Sequence, residues 1–194
     1  MTTRQFGKKR TVPYRRKREG RTHYGKRLTF LKSGLPRLVV RKLGNTIVCQ
    51  FIQYDADGDK IIAAASSRDL KKLGWNGHPR NTPSAYLTGL LVGQKAKKSV
   101  KEAILDLGLQ NPRKKTNVYA ALKGVIDAGV AISHDETAIP ADDRLTGKHI
   151  ADYASKIAGT DAYKSNFSAY IKINTKPEEL VKMFDDVKNK ILGM

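Results

Sequence analysis

The chain has 194 residues, of which 40% are hydrophobic, and its formal net charge is +19. This amount of apolar sequence is enough to bury a core, which excludes a chain that is disordered throughout. The single cysteine, Cys49, excludes an internal disulfide, and its place among alternating apolar residues in TIVCQFIQY predicts a small buried side chain rather than a reactive thiol.

The positive charge is concentrated near the N-terminus. The first 42 residues hold 15 of the 37 lysines and arginines but only one of the 18 acidic residues. Within residues 12–28, VPYRRKREGRTHYGKRL, Tyr14 and Tyr24 are interleaved with the cations. A core cannot bury so many unpaired cations, because each would have to be desolvated. The pattern predicts a nucleic-acid partner, with cations on phosphates and tyrosines on bases; a solvated charged face is the alternative.

The N-terminal segment is expected to contain an arm followed by a helix. Residues 1–13 lack apolar periodicity and predict a flexible basic arm, mobile in the free protein and ordered on its partner. From Tyr14 the pattern predicts a helix, anchored at its C-terminal end by the seam Tyr24, Leu28 and Leu31. Two internal glycines weaken this helix in isolation, so it should be firm only when docked.

Three strands are predicted next, at LPRLVVRKL (35–43), TIVCQFIQY (46–54) and DKIIAAASS (59–67). All three are rich in β-branched and apolar residues. The dipeptides between them, Gly44-Asn45 and Asp57-Gly58, favour tight turns because they tolerate positive φ. The segment therefore predicts a three-stranded antiparallel meander.

A helix and a parallel strand extend this meander. Asn81-Thr82-Pro83 combines a capping side chain with proline in the first turn, and predicts a helix from here to about residue 100. Its GxxxG pair, Gly89 and Gly93, is expected to pack against the sheet. The apolar run 102–109 predicts a buried fourth strand, parallel to a neighbour because a helix crosses over before it. With a helix at 117–129, the core has the order β-β-β-α-β-α.

The remaining residues predict a helical extension. PADDRLTGKHIADYASKIAG (140–159) and TKPEELVKMFDDVKNKIL (175–192) both show helical patterns. Between them, Tyr163, Phe167 and Tyr170 recur at helical spacing and predict packing of the tail on the core. The chain thus divides into a basic arm and helix (1–33), an α/β core (34–132) and a helical C-terminal extension (133–194).

Catalytic and metal-binding patterns are not found. DADGD (55–59) resembles a calcium loop, but Lys60 and Ser66 stand where Gly and Glu are needed, so a polar turn is predicted. HDET (134–137) lacks a partner at ligand spacing, and Asp106 has no companion carboxylate for two-metal chemistry. We therefore expect a protein that is not an enzyme, without a cofactor or small-molecule substrate.

A membrane is not an expected partner either. The apolar stretch AYLTGLLVG (85–93) is too short to span a bilayer, and the N-terminus lacks the apolar run of a secretory signal. A cytoplasmic protein is the expectation. A second basic cluster, Arg113-Lys114-Lys115, precedes the 117–129 helix; phosphate binding at that helix start and a solvated loop both remain open.

Five motifs in this order resemble one protein family: YRRKREGRTHYGKRL, SGLPRLVVRKLGN, GWNGHPRNTPSAYLTGLLVGQKA, VYAALKGVIDAG and SNFSAYI. Together they span nearly the whole chain, and they resemble the ribosomal large-subunit proteins that bind 5S ribosomal RNA, the L-eighteen family, in its archaeal form. The resemblance implies an α/β fold of the translational-machinery-component type. It also implies attachment of 5S rRNA to the large-subunit rRNA in the central protuberance, beside neighbouring large-subunit proteins of the cytoplasmic ribosome.

The resemblance further implies which residues contact RNA. In the arm these are Lys8, Lys9, Arg10, Tyr14, Arg15, Arg16, Lys17, Arg18, Arg21, Tyr24, Lys26 and Arg27. Trp75, Asn76, Arg80 and Asn81 lie in a matching motif whose role stays open between RNA contact and folding, with packing favoured for Trp75. A DNA-binding architectural protein and an RNA-processing enzyme that uses Asp106 are the alternative functions.

Overall fold

The computed structural model describes residues 12–111 and 113–194. Most of the predicted flexible arm, including Lys8, Lys9 and Arg10, lies outside the described residues. The N-terminal segment contains helices α1 (Arg15–Arg18) and α2 (Tyr24–Lys32). The α/β body contains strands β1 (Arg37–Lys42), β2 (Ile47–Gln53) and β3 (Lys60–Ser66), helix α3 (Thr82–Ala96), strand β4 (Glu102–Asp106), helix α4 (Asn117–Asp127) and strand β5 (Ala131–Ile132).

The C-terminal extension consists of five helices within the described residues. They are α5 (Asp142–Thr146), α6 (Lys148–Lys156), α7 (Asp161–Asn166), α8 (Ser168–Lys172) and α9 (Leu180–Leu192). Short 3-10 turns at Asp69–Leu73, Glu136–Ala138 and Pro177–Glu179 complete the chain.

The five strands form one mixed sheet in the order β3-β2-β1-β4-β5. β1 pairs antiparallel with β2, and β2 pairs antiparallel with β3, which confirms the predicted meander. β4 lies parallel to β1, which confirms the crossover through α3. The two-residue strand β5, parallel to β4, was not predicted because two residues are too few to show a period.

The hydrophobic core lies between one face of the sheet and helices α3 and α4. Leu38, Val40, Cys49 and Phe51 alternate along β1 and β2 and are buried on this inner face. The opposite face of the sheet, called here the outer face, therefore carries the other residues of each strand. Burial raises the pKa of the Cys49 thiol to about 12, as expected for a small core side chain.

Helices α3 and α4 cross at unusually close range. A Cβ atom on Gly89 would lie 2.0 Å from the carbonyl oxygen of Ala121, and one on Gly124 would lie 2.1 Å from that of Tyr86. Gly93 meets the Cβ of Ala128 in the same way, at 2.5 Å. The prediction that the GxxxG pair packs against the sheet is therefore wrong. The glycines face α4, because only a helix without side chains at this point lets the two backbones touch.

Two predicted helices are each divided into two. Gly20, with a φ of +64°, separates α1 from α2, and Gly147, with a φ of +86°, separates α5 from α6. A left-handed residue cannot continue a right-handed helix, so the chain changes direction at both glycines. A Cβ on Gly147 would also lie 2.7 Å from Cδ2 of Leu180, so this turn is packed against α9.

The C-terminal extension packs on the α/β body through one continuous core. Leu180, Phe184, Val187 and Ile191 are buried along α9, as the apolar pattern of 175–192 predicts. The ring of Phe184 lies 5.4 Å from that of Tyr86 on α3. Because the same hydrophobic cluster includes residues of both parts, the boundary at residue 133 divides the sequence without dividing the core.

Cys49 should be protected from alkylation in the native state. At pH 8 the buried thiol, with its raised pKa, stays protonated, and the thiolate is the reactive species. We expect iodoacetamide to modify the native chain far more slowly than the chain in denaturant, as followed by mass spectrometry. Equal rates in the two conditions would contradict this burial.

Gly89→Ala should destabilise the fold by about 3 kcal/mol, because the new methyl group overlaps the backbone of α4. The better helix propensity of alanine, about 1 kcal/mol, offsets only part of this cost. Gly44→Ala is the matched control, since a Cβ at Gly44 meets no atom within 4 Å. Denaturant unfolding of both variants measures the difference, and equal stabilities would disprove the close crossing.

Candidate nucleic-acid interface

The segment before the sheet presents a compact basic surface, formed by α1 and α2. All four residues of α1, Arg15–Arg18, are basic and exposed. The only acid nearby in sequence, Glu19, pairs with Arg15 at 3.7 Å and with Arg21 at 3.3 Å. Arg16, Lys17, Arg18 and Lys26 form no ion pair within the described residues and are exposed to solvent.

The two tyrosines of this segment lie together. The ring centroids of Tyr14 and Tyr24 are 5.1 Å apart, with the planes tilted by 49°. Tyr24 is half-buried, whereas Tyr14 is 73% exposed and keeps a free ring face. Tyr14 therefore offers an accessible aromatic surface, and the half-buried ring of Tyr24 packs against it.

Helix α2, which is described along its whole length, has no buried residue. His23 caps it, because its Nδ1 accepts a hydrogen bond from the backbone N–H of Lys26 at 3.0 Å. The predicted apolar seam is wrong at Leu28, whose side chain is exposed. The half-buried apolar residues of α2 are Tyr24, Phe30 and Leu31. A helix so short, with so little apolar burial, needs other contacts to stay in place.

Those contacts are ion pairs to the sheet. Arg27 of α2 donates from Nη2 to Oδ1 of Asp59 at 2.8 Å, and Arg37 of β1 donates from Nη2 to Oδ2 of the same carboxylate at 2.8 Å. Arg37 also donates from Nη1 to Oδ2 of Asp106 on β4 at 3.0 Å, and Arg41 lies 3.3 Å from the other oxygen of Asp106. We call these five residues the arginine–carboxylate ladder.

The ladder lies on the outer face of the sheet. Arg37 and Arg41 alternate with core residues along β1, and Asp106 is in register with Val39 on the same face. Arg37 is only 4% exposed, although its Nε has no hydrogen-bond partner among the described residues. Of the five ladder residues, sequence reasoning predicted only Arg27 as a site residue, because nothing local to β1 or β4 shows that the others meet there.

A cleft of about 160 Å³ opens between the N-terminal helices and the ladder. Arg16, Arg21, Lys26 and Arg41 line it, with Asp106 as its only acidic wall residue among those described. The cleft is strongly electropositive, which suits a phosphate group of a nucleic-acid backbone. The arrangement thus combines basic walls with an exposed aromatic ring, Tyr14, nearby in sequence.

In the GWNGHPRN loop (74–81), which lies between the meander and α3, the side chain of Trp75 has a packing role. The indole is 1% exposed, and its Nε1 donates to Oγ of Ser84 at 2.7 Å. It also covers Gly77, where a Cβ would lie 2.4 Å from the ring. A ring buried in this way has no free face for a base, so assigning Trp75 to direct RNA contact is not compatible with this conformation; its packing role holds.

Of the other three residues of this motif, one caps a helix and two are exposed to solvent. Asn81 caps α3, because its side chain accepts from the N–H of Ser84 at 2.9 Å, as predicted. Arg80 is exposed and donates to the carbonyl of Gly44 at 3.0 Å. The side chain of Asn76 is exposed as well. Arg80 and Asn76 are therefore accessible, whereas Asn81 acts through the helix start.

The C-terminal extension holds the backbone of this loop. The N–H of His78 donates to the Tyr170 hydroxyl at 3.1 Å, and Nζ of Lys190 donates to the carbonyl of Leu73 at 3.0 Å. The predicted packing of Tyr170 and Phe167 on the core is confirmed, since both are buried. Tyr163 is only half-buried and donates to the carboxylate of Glu178 at 3.2 Å.

The second basic cluster is partly neutralised. Lys114 lies 2.8 Å from a carboxylate oxygen of Asp135, and hydrogen bonds from Lys114 and Thr137 lower the pKa of Asp135 to about 2. Arg113 and Lys115 are exposed. Lys114 is thus committed to a partner within the chain, and of the three cations it is the least suited to a phosphate at the start of α4.

Metal and membrane sites are not seen in the described part of the chain. Among residues 12–111 and 113–194, histidines, cysteines and acids do not gather in groups of three that would hold a metal ion. The carboxylate of Asp106 accepts from Arg37 and from the N–H of Gly108, at 3.0 and 2.7 Å. Within the same ranges, every helix is too short or too polar to reach across a bilayer.

Residues 8–103 match the model of a family described as ribosomal large subunit proteins 60S L5 and 50S L18. The match begins in the basic segment before α1 and ends within β4. It therefore includes the N-terminal helices, the meander, the GWNGHPRN loop and α3. Asp59 and Arg37 of the ladder lie inside the match, whereas Asp106, the Arg113–Lys115 cluster and the C-terminal extension lie beyond it.

The burial of Trp75 predicts its fluorescence. As the only tryptophan of the chain, it should resist acrylamide quenching and keep its emission maximum when 5S rRNA is added. Gly77→Ala is the positive control, since the new methyl group overlaps the ring and should displace it into solvent, with red-shifted emission. Strong quenching of the unmodified chain by RNA would show that Trp75 stacks on a base.

Proposed function

The chain belongs to the family of ribosomal large-subunit proteins described as 60S L5 and 50S L18, and we propose that within that subunit it binds 5S ribosomal RNA. It attaches this RNA to the large-subunit rRNA in the central protuberance, beside neighbouring large-subunit proteins, and it catalyses no reaction. Membership of the family assigns the chain to the large subunit of the ribosome, in the cytoplasm.

One observation supports this proposal above the others: helix α2, which follows the exposed cations of α1, is held on a folded sheet by the arginine–carboxylate ladder through Arg27. Cations in water bind phosphates with little desolvation cost, and each bound phosphate releases counterions. Cations fixed in space also recognise the shape of a folded RNA, which a flexible tail does not. The surface therefore suits a structured RNA better than an arbitrary polyanion.

The proposed contacts follow from exposure. In the described part of the arm, direct contacts to RNA come from Tyr14, Arg15, Arg16, Lys17, Arg18, Arg21 and Lys26. Lys8, Lys9 and Arg10 remain predicted contacts. Tyr24 and Arg27 act by support, since one packs under Tyr14 and the other pairs with Asp59. Of the GWNGHPRN motif, Asn76 and Arg80 are proposed as contacts.

The division of labour along the chain is part of the proposal. The arm and helix (1–33) bind RNA, the α/β core (34–132) orients them, and the extension (133–194) braces the GWNGHPRN loop and faces the ribosome. The extension holds that loop through Tyr170, and Lys190 holds the carbonyl of Leu73 just before it. The archaeal form of the family, which the sequence motifs resemble, belongs to the same proposal.

A competition experiment tests this function on the full chain. At physiological salt, unlabelled 5S rRNA should displace labelled 5S rRNA at far lower concentration than tRNA or duplex DNA does. Equal competition by duplex DNA would favour an architectural DNA-binding protein. Metal-dependent cleavage of the RNA that is lost in Asp106→Asn would favour a processing enzyme. About six phosphate contacts would give a log–log salt slope near −5.

Charge-neutralised pairs locate the contacts. Arg18→Gln combined with Lys26→Gln should weaken binding of 5S rRNA about tenfold at low salt, because two exposed cations are lost from the basic surface. Lys156→Gln with Lys172→Gln removes the same charge from exposed positions of α6 and α8, and should leave the affinity nearly unchanged. Equal losses in the two double variants would mean that net charge alone drives binding.

A further inference from the structure

Asp59 is an acidic residue that contacts two arginines of a cleft proposed to bind a polyanion. It lies at the end of the turn between β2 and β3, and its two oxygens accept from arginines of different elements, Arg27 of α2 and Arg37 of β1, each at 2.8 Å. Electrostatic attraction to RNA gains nothing from an acid at this place, so the role of Asp59 has to come from the arginines that it holds.

The two arginines differ in how firmly they are fixed. The Arg37 side chain is 5% exposed and pairs with Asp106 at 3.0 Å, so it is part of the buried structure. The Arg27 side chain is 32% exposed and belongs to a helix that buries no residue. Asp59 is therefore the link that joins a weakly packed basic helix to a rigid position on the sheet. An isolated surface ion pair contributes little, but this one is part of a network with a buried member.

Resting on the RNA-binding function proposed above, we propose that Asp59 is a positioning residue for RNA: its carboxylate fixes α2 on the outer face through Arg27. Lys26 is adjacent to Arg27 and lines the cleft together with Arg16 and Arg21. When α2 is held, these cations are arranged before the RNA arrives. Without that link, they would have to be ordered during binding, which weakens affinity.

The direction in which RNA affinity changes when the charge of Asp59 is removed distinguishes this proposal from simple electrostatics. Removing a negative charge from a basic surface strengthens binding to a polyanion if only the summed charge matters. If Asp59 positions α2, the same change weakens binding. Asp57 provides the matched comparison, because it lies in the same turn, is exposed, and forms no ion pair within the described residues.

The test uses the full chain and 5S rRNA, with affinities measured over a range of salt concentrations. Asp59→Asn should bind roughly fivefold more weakly than the unmodified chain and show a shallower salt slope, since fewer phosphates are contacted at once. Asp57→Asn should bind equally well or slightly more tightly. Asp59→Glu keeps the charge and should restore most of the affinity.

A double variant tests whether Asp59 acts through Arg27. In an Arg27→Met background, Asp59→Asn should have little further effect on affinity, because the link is already broken. Additive losses would overturn the proposal, as would Asp59→Asn binding as tightly as Asp57→Asn, or Asp59→Glu binding as weakly as Asp59→Asn. The emission of Trp75 and the unfolding midpoint check that every variant is folded.

The outcome is separable from that of the proposed function. If the unmodified chain shows no preference for 5S rRNA over tRNA, the proposed function fails. The comparison of Asp59→Asn with Asp57→Asn still holds in that case, on whichever RNA the chain binds. If the preference is present and the two variants bind alike, only the positioning role of Asp59 is overturned.

Discussion

The carboxylates of Asp59 and Asp106, shared among three arginines, resolve a conflict that a strongly basic segment creates. Cations that bind a polyanion must stay in water, yet a segment that buries nothing has no fixed place on a protein. Two acids on the sheet hold Arg27, Arg37 and Arg41 and leave the neighbouring cations free. Helix α2 is thereby attached to the sheet through Arg27, while exposed cations such as Lys26 remain available for phosphate.

The body that carries this ladder depends on the close crossing of α3 and α4. Gly89 and Gly124 let the two backbones touch, so the helices form one layer over the inner face of the sheet. This layer leaves the outer face to the N-terminal helices. The start of α3 also fixes the GWNGHPRN loop, because Ser84 accepts from Trp75 while its own hydroxyl donates to the carbonyl of His78 at 2.6 Å. The loop is thus shaped by the helix that follows it.

The C-terminal extension completes this support. Its aromatic and apolar residues join the main hydrophobic cluster, the Tyr170 hydroxyl accepts from the backbone N–H of His78 in the loop, and Lys190 donates to the carbonyl of Leu73 just before the loop. Backbone contacts leave the side chains of Asn76 and Arg80 outside. A region beyond the family match therefore shapes a loop within it, and the extension contributes to the candidate interface without needing to touch RNA there.

The meander, the helix start at Asn81 and the basic character of the arm could be predicted from the sequence, because periodicity, capping and charge are properties of neighbouring residues. The folding of the sheet brings Asp59 and Asp106 together on Arg37, although these acids lie 22 and 69 residues from it, and only Asp59 of the two continues the network to Arg27 of α2. The packing of α9 against Gly147 likewise shows where the predicted tail helix breaks. Each of these depends on which distant elements become adjacent when the sheet and helices pack, and local sequence patterns do not encode that adjacency.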